Sequence, residues 1–156
     1  MSEANSEPQS INTHIIGRTY STEQTFQVGR ERIREFARAV KATSPLYFDV
    51  DAARKAGYTD VVAPPTFAII LAQQADAALI QDPDAGIDFS RVVHADQRFT
   101  HHSPIVAGDE LRTEVHVDNV RVMEPGAMLT TREEITTVQG EKVCTCLSSL
   151  LVRGED

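Results

Sequence analysis

Residues 67–80 read FAIILAQQADAALI, a run dominated by apolar side chains. Through Ala72 the run is apolar over most of a helical circumference, whereas a surface helix would keep a polar face. It therefore predicts a central, buried helix. Pro64-Pro65-Thr66 precedes the run, and the loop-forming sequence DPDAG at residues 82–86 follows it, so both ends of the helix are marked.

The sequence after this helix consists of strands and turns. Every second residue from Leu111 to Val117 is apolar or threonine, which is the period of a strand with one buried face. Further strands are predicted over residues 92–100, 128–138 and 142–152, and Pro125-Gly126 is expected at positions i+1 and i+2 of a type II turn. One buried helix followed by four or five long antiparallel strands is an α+β pattern in which the sheet wraps the helix.

The sequence before the central helix predicts three smaller elements. Residues 19–28 alternate loosely as a strand, and a helix with one apolar stripe begins at Gly29. A short helix is predicted over residues 50–56, with Asp49 or Asp51 as its N-cap. Residues 1–14 are expected to form a disordered tail, so that a single domain spans residues 15–156.

The composition limits the function. Of 156 residues, 41% are hydrophobic, and the formal net charge of −8 argues against binding to nucleic acid or to an anionic membrane surface. No secretory signal is visible, and the longest apolar stretch, residues 64–71, is too short to span a bilayer, so we expect a cytoplasmic protein. Cys144 and Cys146 are expected to be buried, reduced thiols, since their spacing suits neither a disulfide nor a zinc or redox pair.

A second segment carries information about chemistry. Residues 42–67 read ATSPLYFDVDAARKAGYTDVVAPPTF, which resembles the active-site segment of the MaoC-like (R)-specific hydratases and dehydratases. In catalytic members that segment begins Asp-x-Asn-Pro-x-His and ends near Ala-His-Gly-Met. Here Ala42 stands at the aspartate position, Tyr47 at the histidine position and Pro64-Pro65 at the His-Gly pair. The residues of this segment that match the family pattern are Ser44, Pro45, Leu46, Asp49, Gly57, Tyr58 and Ala63.

Other pieces are similar to an actinobacterial MaoC-like subfamily, the non-catalytic subunits of (3R)-hydroxyacyl-ACP dehydratases. They include VGRE at residues 28–31, DQRF at 96–99 and PIVAGD at 104–109. The resemblance implies a single hot-dog domain that acts in fatty-acid or mycolic-acid elongation beside a catalytic MaoC-like hot-dog subunit. It also implies an acyl-ACP or acyl-CoA thioester substrate, no cofactor and no metal, and a dimer, with a heterodimer ahead of a homodimer.

The residues at the degenerate positions agree with a loss of catalysis. Dehydration of a 3-hydroxyacyl thioester needs a base and an acid, usually a histidine with a carboxylate, and a donor on the thioester carbonyl. Ala42 does not titrate, Tyr47 offers a side-chain type that is no base at neutral pH, and Pro65 has no N–H to donate. We therefore expect no catalytic residue in this chain.

Three residues at the start of the central helix are candidates for contact with an acyl chain. These are Thr66, Phe67 and Ile70. Because Phe67 and Ile70 are three residues apart on a helix, they share a face. That face could border an acyl tunnel, but packing in the core is the favoured interpretation.

The histidines offer further candidates. His101 and His102 would point to opposite faces of a regular strand, so they could not share one metal, and we expect surface or interface residues. His94 and Asp96 would share a face and could form a dyad, although no nucleophile or third group accompanies them.

Two other functions stay open. The chain could be a homodimeric hot-dog thioesterase or hydratase with a displaced active site, or an acyl-CoA-binding module without catalysis. Glu133 or Glu134 could supply a carboxylate for a displaced site, but a solvated strand face beside Arg132 is the favoured interpretation. A neighbouring gene for a chain with an intact Asp-x-Asn-Pro-x-His segment would favour the dehydratase subunit.

Overall fold

One antiparallel sheet forms the frame of the domain. The structure, a computed structural model, describes residues 11–154. Its strands are β1 (Thr19–Ser21), β2 (Phe26–Gln27), β3 (Val92–His101), β4 (Glu110–Met123), β5 (Gly126–Thr137) and β6 (Lys142–Arg153). The strand order is β1-β4-β5-β6-β3, and β2 also pairs with β4. Within residues 11–154, β3 is therefore an edge strand, and β6 is interior because it pairs with both β5 and β3.

Among the described residues, three α-helices accompany this sheet. They are α1 (Arg30–Ala39), α2 (Val50–Lys55) and α3 (Ala68–Ile80). The central helix α3 contacts β1, β4, β5 and β6, and a single 3₁₀ turn at Pro65–Phe67 leads into it. The Asp49 carboxylate accepts hydrogen bonds from the N–H groups of Asp51 and Ala52, so Asp49 is the N-cap of α2.

The core divides along α3. At its N-terminal end, Phe67 is fully buried and meets the rings of Phe26 and Phe36 edge-on, at centroid distances of 6.3 and 5.5 Å. At its C-terminal end, Ala75 and Leu79 pack against the buried face of β4, β5 and β6. Aromatic pairs of this geometry add to the burial of apolar area, so the start of α3 is held from two sides.

The predicted α+β class and the central helix are confirmed. Cys144 and Cys146 are free and buried, with 3.9 Å between their sulfur atoms. The strand predicted over residues 19–28 is instead two short strands, β1 and β2, which pair with separate parts of β4. The predicted tail of residues 1–14 lies mostly outside the described residues, but Ile11 is buried and packs near the end of α3, so the folded domain already includes residues 11–14.

The predicted type II turn at Pro125-Gly126 is wrong. Gly126 pairs with Met123 and is the first residue of β5, which leaves Glu124 and Pro125 as the turn residues. Glycine is needed at position 126 because a Cβ atom there would lie 2.2 Å from the carbonyl oxygen of Val152. The sequence signal for a turn was correct, but the glycine serves a close approach of two backbones.

Replacement of Phe67 by alanine should strongly destabilise the domain. The side chain is fully buried, so its loss removes apolar burial and leaves a cavity, at a cost of about 3–5 kcal/mol in the free energy of unfolding. Urea unfolding followed by circular dichroism measures this. The exposed neighbour Thr66 provides the control, since Thr66→Ala should change stability by less than about 0.5 kcal/mol. Equal effects of the two substitutions would contradict the packing described for Phe67.

Candidate functional site

A cavity of about 430 Å³ lies where the segment before α3 meets the end of β3. Three of the four degenerate positions line it, namely Tyr47, Pro64 and Pro65. The residues that line it are Leu46, Tyr47, Tyr58, Val62, Ala63, Pro64, Pro65, His101, His102, Ser103, Pro104 and Ile105. The fourth degenerate position, Ala42, is half-buried and lies outside this lining.

Backbone hydrogen bonds hold the walls of this cavity together. The N–H of Val62 donates to the carbonyl of Leu46 at 2.9 Å, which brings the residues around Tyr47 beside the approach to α3. The N–H of Ala63 donates to the carbonyl of Ile105 at 2.8 Å, which brings the same approach beside the chain after β3. Val62 and Ala63 thus tie the segments that carry Tyr47 and His101 to the approach to α3.

Two histidines enter the same cavity. His101 is the last residue of β3 and its ring stacks on Phe99 at 6.1 Å, whereas His102 follows the strand and its Nε2 lies 2.9 Å from the hydroxyl of Thr145. The expectation that they face opposite sides assumed a regular strand. Because the strand ends between them, both rings reach the cavity lining.

This cavity offers few groups for acid–base chemistry. Of the described residues that line it, none is an aspartate or a glutamate, and the residue that leads into α3, Pro65, has no N–H. The polar side chains are two phenols, two imidazoles and one serine hydroxyl. A carboxylate reaches His102 only indirectly, since the Thr145 hydroxyl donates to Glu134 Oε2 at 2.7 Å.

The candidate acyl-contact residues lie elsewhere. Thr66 is exposed, Phe67 is fully buried in the aromatic cluster and Ile70 is half-buried beside the core. None of the three residues lines this cavity or the cavity beside the C-terminal half of α3.

A second cavity, of about 560 Å³, lies beside the C-terminal half of α3. Gln73, Asp76, Ala77, Ile80, Gln81, Phe89, Val92, His94, Ser148 and Leu150 line it. Asp76 is only 5% exposed and contacts Glu133, which is fully buried. Two carboxyl groups thus meet between the helix and the sheet.

A chain of hydrogen bonds surrounds these carboxyl groups. Glu133 accepts from the hydroxyl of Thr131 at 2.6 Å, and its other oxygen lies 3.4 Å from the hydroxyl of Ser148. The Ser148 hydroxyl also lies 2.7 Å from Gln97 Oε1, which in turn is 3.0 Å from His94 Nε2. This series of polar contacts therefore leads from the buried Asp76–Glu133 pair to His94 on the surface of the edge strand β3.

The pKa of Asp76 is raised to about 9 from its ordinary value of 3.8. The main cause is burial, and the hydrogen bond with Glu133 and the charge of Glu133 add to it. A carboxyl group removed from water favours its neutral form, and a second carboxyl group adds to the effect. Asp76 is thus protonated at neutral pH and can donate to Glu133. The same strength of perturbation marks functional acids in many enzymes.

This pair of carboxyl groups was not predicted from the sequence. The solvated face predicted for Glu133-Glu134 holds for Glu134, which bonds Arg132 at 2.9 Å, and is wrong for Glu133. The alternation of buried and exposed side chains along β5 could have revealed Glu133. It lies an even number of residues from the buried Leu129 and Ile135, and so on the same face of the strand. Asp76 lies four residues after Ala72, on the buried side of α3.

The proposed dyad of His94 and Asp96 does not form. The pairing of β3 with β6 shifts register between these two residues, so they no longer share a regular face. His94 bonds Gln97, and Asp96 pairs with Arg98 at 3.3 Å. Within residues 11–154, no group of three or more His, Cys, Asp or Glu side chains is arranged to hold a metal ion.

Comparison with known proteins identifies the family. A model of the FAS1-like dehydratase domain region matches residues 14–146. The chain belongs to this family. Among its relatives, the UPF0336 protein of Saccharopolyspora erythraea is 54% identical over 144 residues, which cover 92% of each chain. The UPF0336 protein Lxx02810 of Leifsonia xyli subsp. xyli is 47% identical over 146 residues, 94% of this chain and 98% of the relative.

Solved structures of a dehydratase and of a hydratase share the fold. The C-terminally truncated HadBC complex of Mycobacterium tuberculosis, a (3R)-hydroxyacyl-ACP dehydratase, matches with a TM-score of 0.80 and 37% identity over 88% of this chain and 96% of that chain. The (R)-hydratase from A. caviae matches with a TM-score of 0.67 and 20% identity over 91% and 97%. The predicted MaoC-like hot-dog fold is therefore confirmed.

Substitution of Asp76 by asparagine should change how stability depends on pH. Because the folded-state pKa of Asp76 is raised, folding retains a proton that the unfolded chain releases, and the free energy of unfolding falls as pH rises from about 4 to about 9. This site contributes at most about 1.4 kcal/mol per pH unit. Asp76→Asn lacks that slope, so its stability relative to the parent chain should increase between pH 5 and pH 8. Urea unfolding at several pH values measures this, and parallel curves would contradict the buried neutral carboxyl group.

Proposed function

We propose that this chain is the non-catalytic, acyl-chain-accommodating subunit of a heteromeric (3R)-hydroxyacyl-thioester dehydratase in the cytoplasm. The observation that carries the proposal is the composition of the first cavity. Tyr47, Pro64 and Pro65 line it at the positions that resemble the catalytic segment, and its described lining has no carboxylate. The 37% identity to HadBC, a (3R)-hydroxyacyl-ACP dehydratase complex, supports the reaction class.

The edge strand supports a partner of the same fold. β3 has ten residues, and within residues 11–154 only β6 pairs with it. An exposed edge of this length is a template for a further strand. A catalytic MaoC-like hot-dog subunit that aligns its own edge strand with β3 would extend the sheet across both chains. It would place the partner's Asp and His next to this chain, which would accommodate an acyl-ACP or acyl-CoA thioester.

The start of α3 is the proposed place of contact with the acyl chain. Ile70 is half-buried beside the core, so it can reach a channel that forms on assembly, whereas Phe67 is enclosed by Phe26 and Phe36. Thr66 is exposed at the same end of the helix. In this arrangement Ile70 and Thr66 would contact the acyl chain, and Phe67 would support them from behind.

A displaced active site is the second candidate. His101 and His102 line the first cavity, and the Thr145 hydroxyl links His102 to Glu134, which orients one imidazole. A base of this kind could serve a homodimeric hydratase or thioesterase. The indirect link leaves the carboxylate outside the cavity, so the dehydratase subunit remains our proposal.

The purified chain alone should not hydrate an enoyl thioester. With crotonyl-CoA as substrate, we expect a kcat at least about 100-fold below that of the complex with a catalytic subunit, because the acid–base pair is missing. The catalytic subunit should be a MaoC-like chain with an intact Asp-x-Asn-Pro-x-His segment, assayed alone as the control. Turnover by the single chain at a rate close to that of the complex would overturn the proposal.

Restoration of catalysis should require several substitutions. Ala42→Asp with Tyr47→His should give weak hydration, and the addition of Pro65→Gly should raise the rate roughly 10- to 100-fold by supplying an N–H for the thioester oxygen. Tyr58 lines the same cavity, so Tyr58→His is the matched control and should give no activity. If Tyr47→His by itself restored nearly full activity, the argument from Pro65 would be wrong.

A further inference from the structure

Charge is distributed unevenly along this chain. Residues 30–55, which contain α1 and α2, hold seven Lys and Arg against four Asp and Glu, a net charge of +3. Because the whole chain carries −8, the other residues together carry −11. A basic region within an acidic protein creates a local field that attracts an acidic partner to that region.

Asp60 joins the two helices on the basic side. Its carboxylate accepts from Arg30 Nε at 3.0 Å and from a terminal nitrogen of the same guanidinium at 2.7 Å, which ties it to the start of α1. Arg54, near the end of α2, donates from Nε to the carbonyl of Thr59 at 3.1 Å, and its charge also acts on Asp60. The pKa of Asp60 falls to about 2 from 3.8, chiefly through the hydrogen bonds from Arg30. The start of α1 and the end of α2 therefore lie close together.

Four exposed cations of this region have neither an ion pair nor a side-chain hydrogen bond within residues 11–154. The ion pairs and side-chain hydrogen bonds of its other cations belong to Arg30, Arg34 and Arg54. The four cations are Arg32, Arg38, Lys41 and Lys55, and we call them the basic surface. Their charges are open to an incoming partner.

The basic surface adjoins the first cavity. Arg34 donates from Nε to the carbonyl of Phe48 at 3.0 Å, which holds α1 beside the segment that carries Tyr47. Tyr58 lies in the chain between α2 and Asp60. Because Tyr47 and Tyr58 both line the first cavity, a partner on the basic surface would lie next to that cavity.

We propose that the basic surface docks the acidic face of an acyl carrier protein. This docking role rests on the function proposed above, since it names the carrier of the thioester substrate. His101, the last residue of β3, lines the same cavity, so the carrier would stand near the edge where the catalytic subunit is proposed to pair. Complementary charge at such a contact speeds association and selects the partner.

The spacing of the cations favours a protein over a nucleotide. The phosphates of coenzyme A would need donors that converge on one point, but Arg32 and Arg38 are about 9 Å apart along the helix axis, and Lys55 is on another helix. Nucleic acid or an anionic membrane would also meet the strongly negative remainder of the chain. A second copy of this chain would join basic to acidic surfaces head to tail, and a contact of that kind does not close into a dimer.

The test measures docking on the isolated full chain, without turnover. Fluorescence anisotropy gives the Kd for a dye-labelled octanoyl carrier protein from the same organism. Arg32→Glu/Arg38→Glu/Lys55→Glu should raise this Kd at least about 10-fold, and the neutral variant Arg32→Gln/Arg38→Gln/Lys55→Gln should raise it about threefold. An increase of NaCl from about 50 to about 300 mM should raise the Kd of the parent chain about 10-fold, because salt screens exposed charges.

The matched control reverses three exposed cations of the sheet that form no ion pair within the described residues. Arg112→Glu/Arg121→Glu/Arg153→Glu changes the net charge by the same amount and should raise the Kd no more than about threefold. The affinity for octanoyl-CoA should be the same in the parent chain and in the reversed variant of the basic surface.

Four results would overturn the docking proposal. They are equal losses in the two reversed variants, a parallel loss of affinity for octanoyl-CoA, self-association of the parent chain that reversal of the basic surface abolishes, and no binding of the carrier to the parent chain. The neutral variant and the salt dependence decide the matter even if the reversed variant does not fold. Absence of turnover by the assembled complex would instead refute the proposed function, so the two failures are distinguishable.

Discussion

The burial of α3 against the sheet is the constraint on which the rest of this structure depends. The helix contacts four strands, and its inward side buries residues from Ala68 to Leu79. Three of its six buried residues are alanines, which lets the helix approach the sheet closely, while Phe67 anchors its start between two aromatic rings. Everything polar on that inward side must find its partner inside the protein.

This constraint has opposite consequences at the two ends of the helix. At the N-terminal end, Pro64 and Pro65 set the direction of the chain into α3 but remove backbone donors from the adjoining cavity, so the place resembles a catalytic site in shape and lacks its chemistry. At the C-terminal end, Asp76 is carried inward and can be accommodated only by a neutral carboxyl group beside Glu133. The most strongly perturbed carboxyl group therefore lies outside the degenerate segment and lines a different cavity.

The features that follow from the periodicity of apolar residues were predicted from the sequence. Those that follow from the register between paired strands were not. The fold class, the central helix and the N-cap at Asp49 could all be read from local patterns. The type of the turn at Pro125 and the bulge between His94 and Asp96 could not, because each depends on the register of a neighbouring strand. Glu133 was misjudged because its charge was given more weight than its place in the alternation of β5. The cavity that joins Tyr47 to His101 depends on contacts between distant segments, which no local pattern contains.

The most direct test of this account is the catalytic rate of the assembled complex when imidazoles are removed from one subunit at a time. The double variant His101→Asn/His102→Asn of this chain should form the complex with a catalytic MaoC-like subunit and retain a kcat within about twofold of the parent complex. Removal of the histidine from the Asp-x-Asn-Pro-x-His segment of the other subunit should reduce kcat by at least about 100-fold. A collapse of activity in the His101→Asn/His102→Asn complex, with the other subunit's histidine dispensable, would show that the chemistry resides in this chain and would contradict the account.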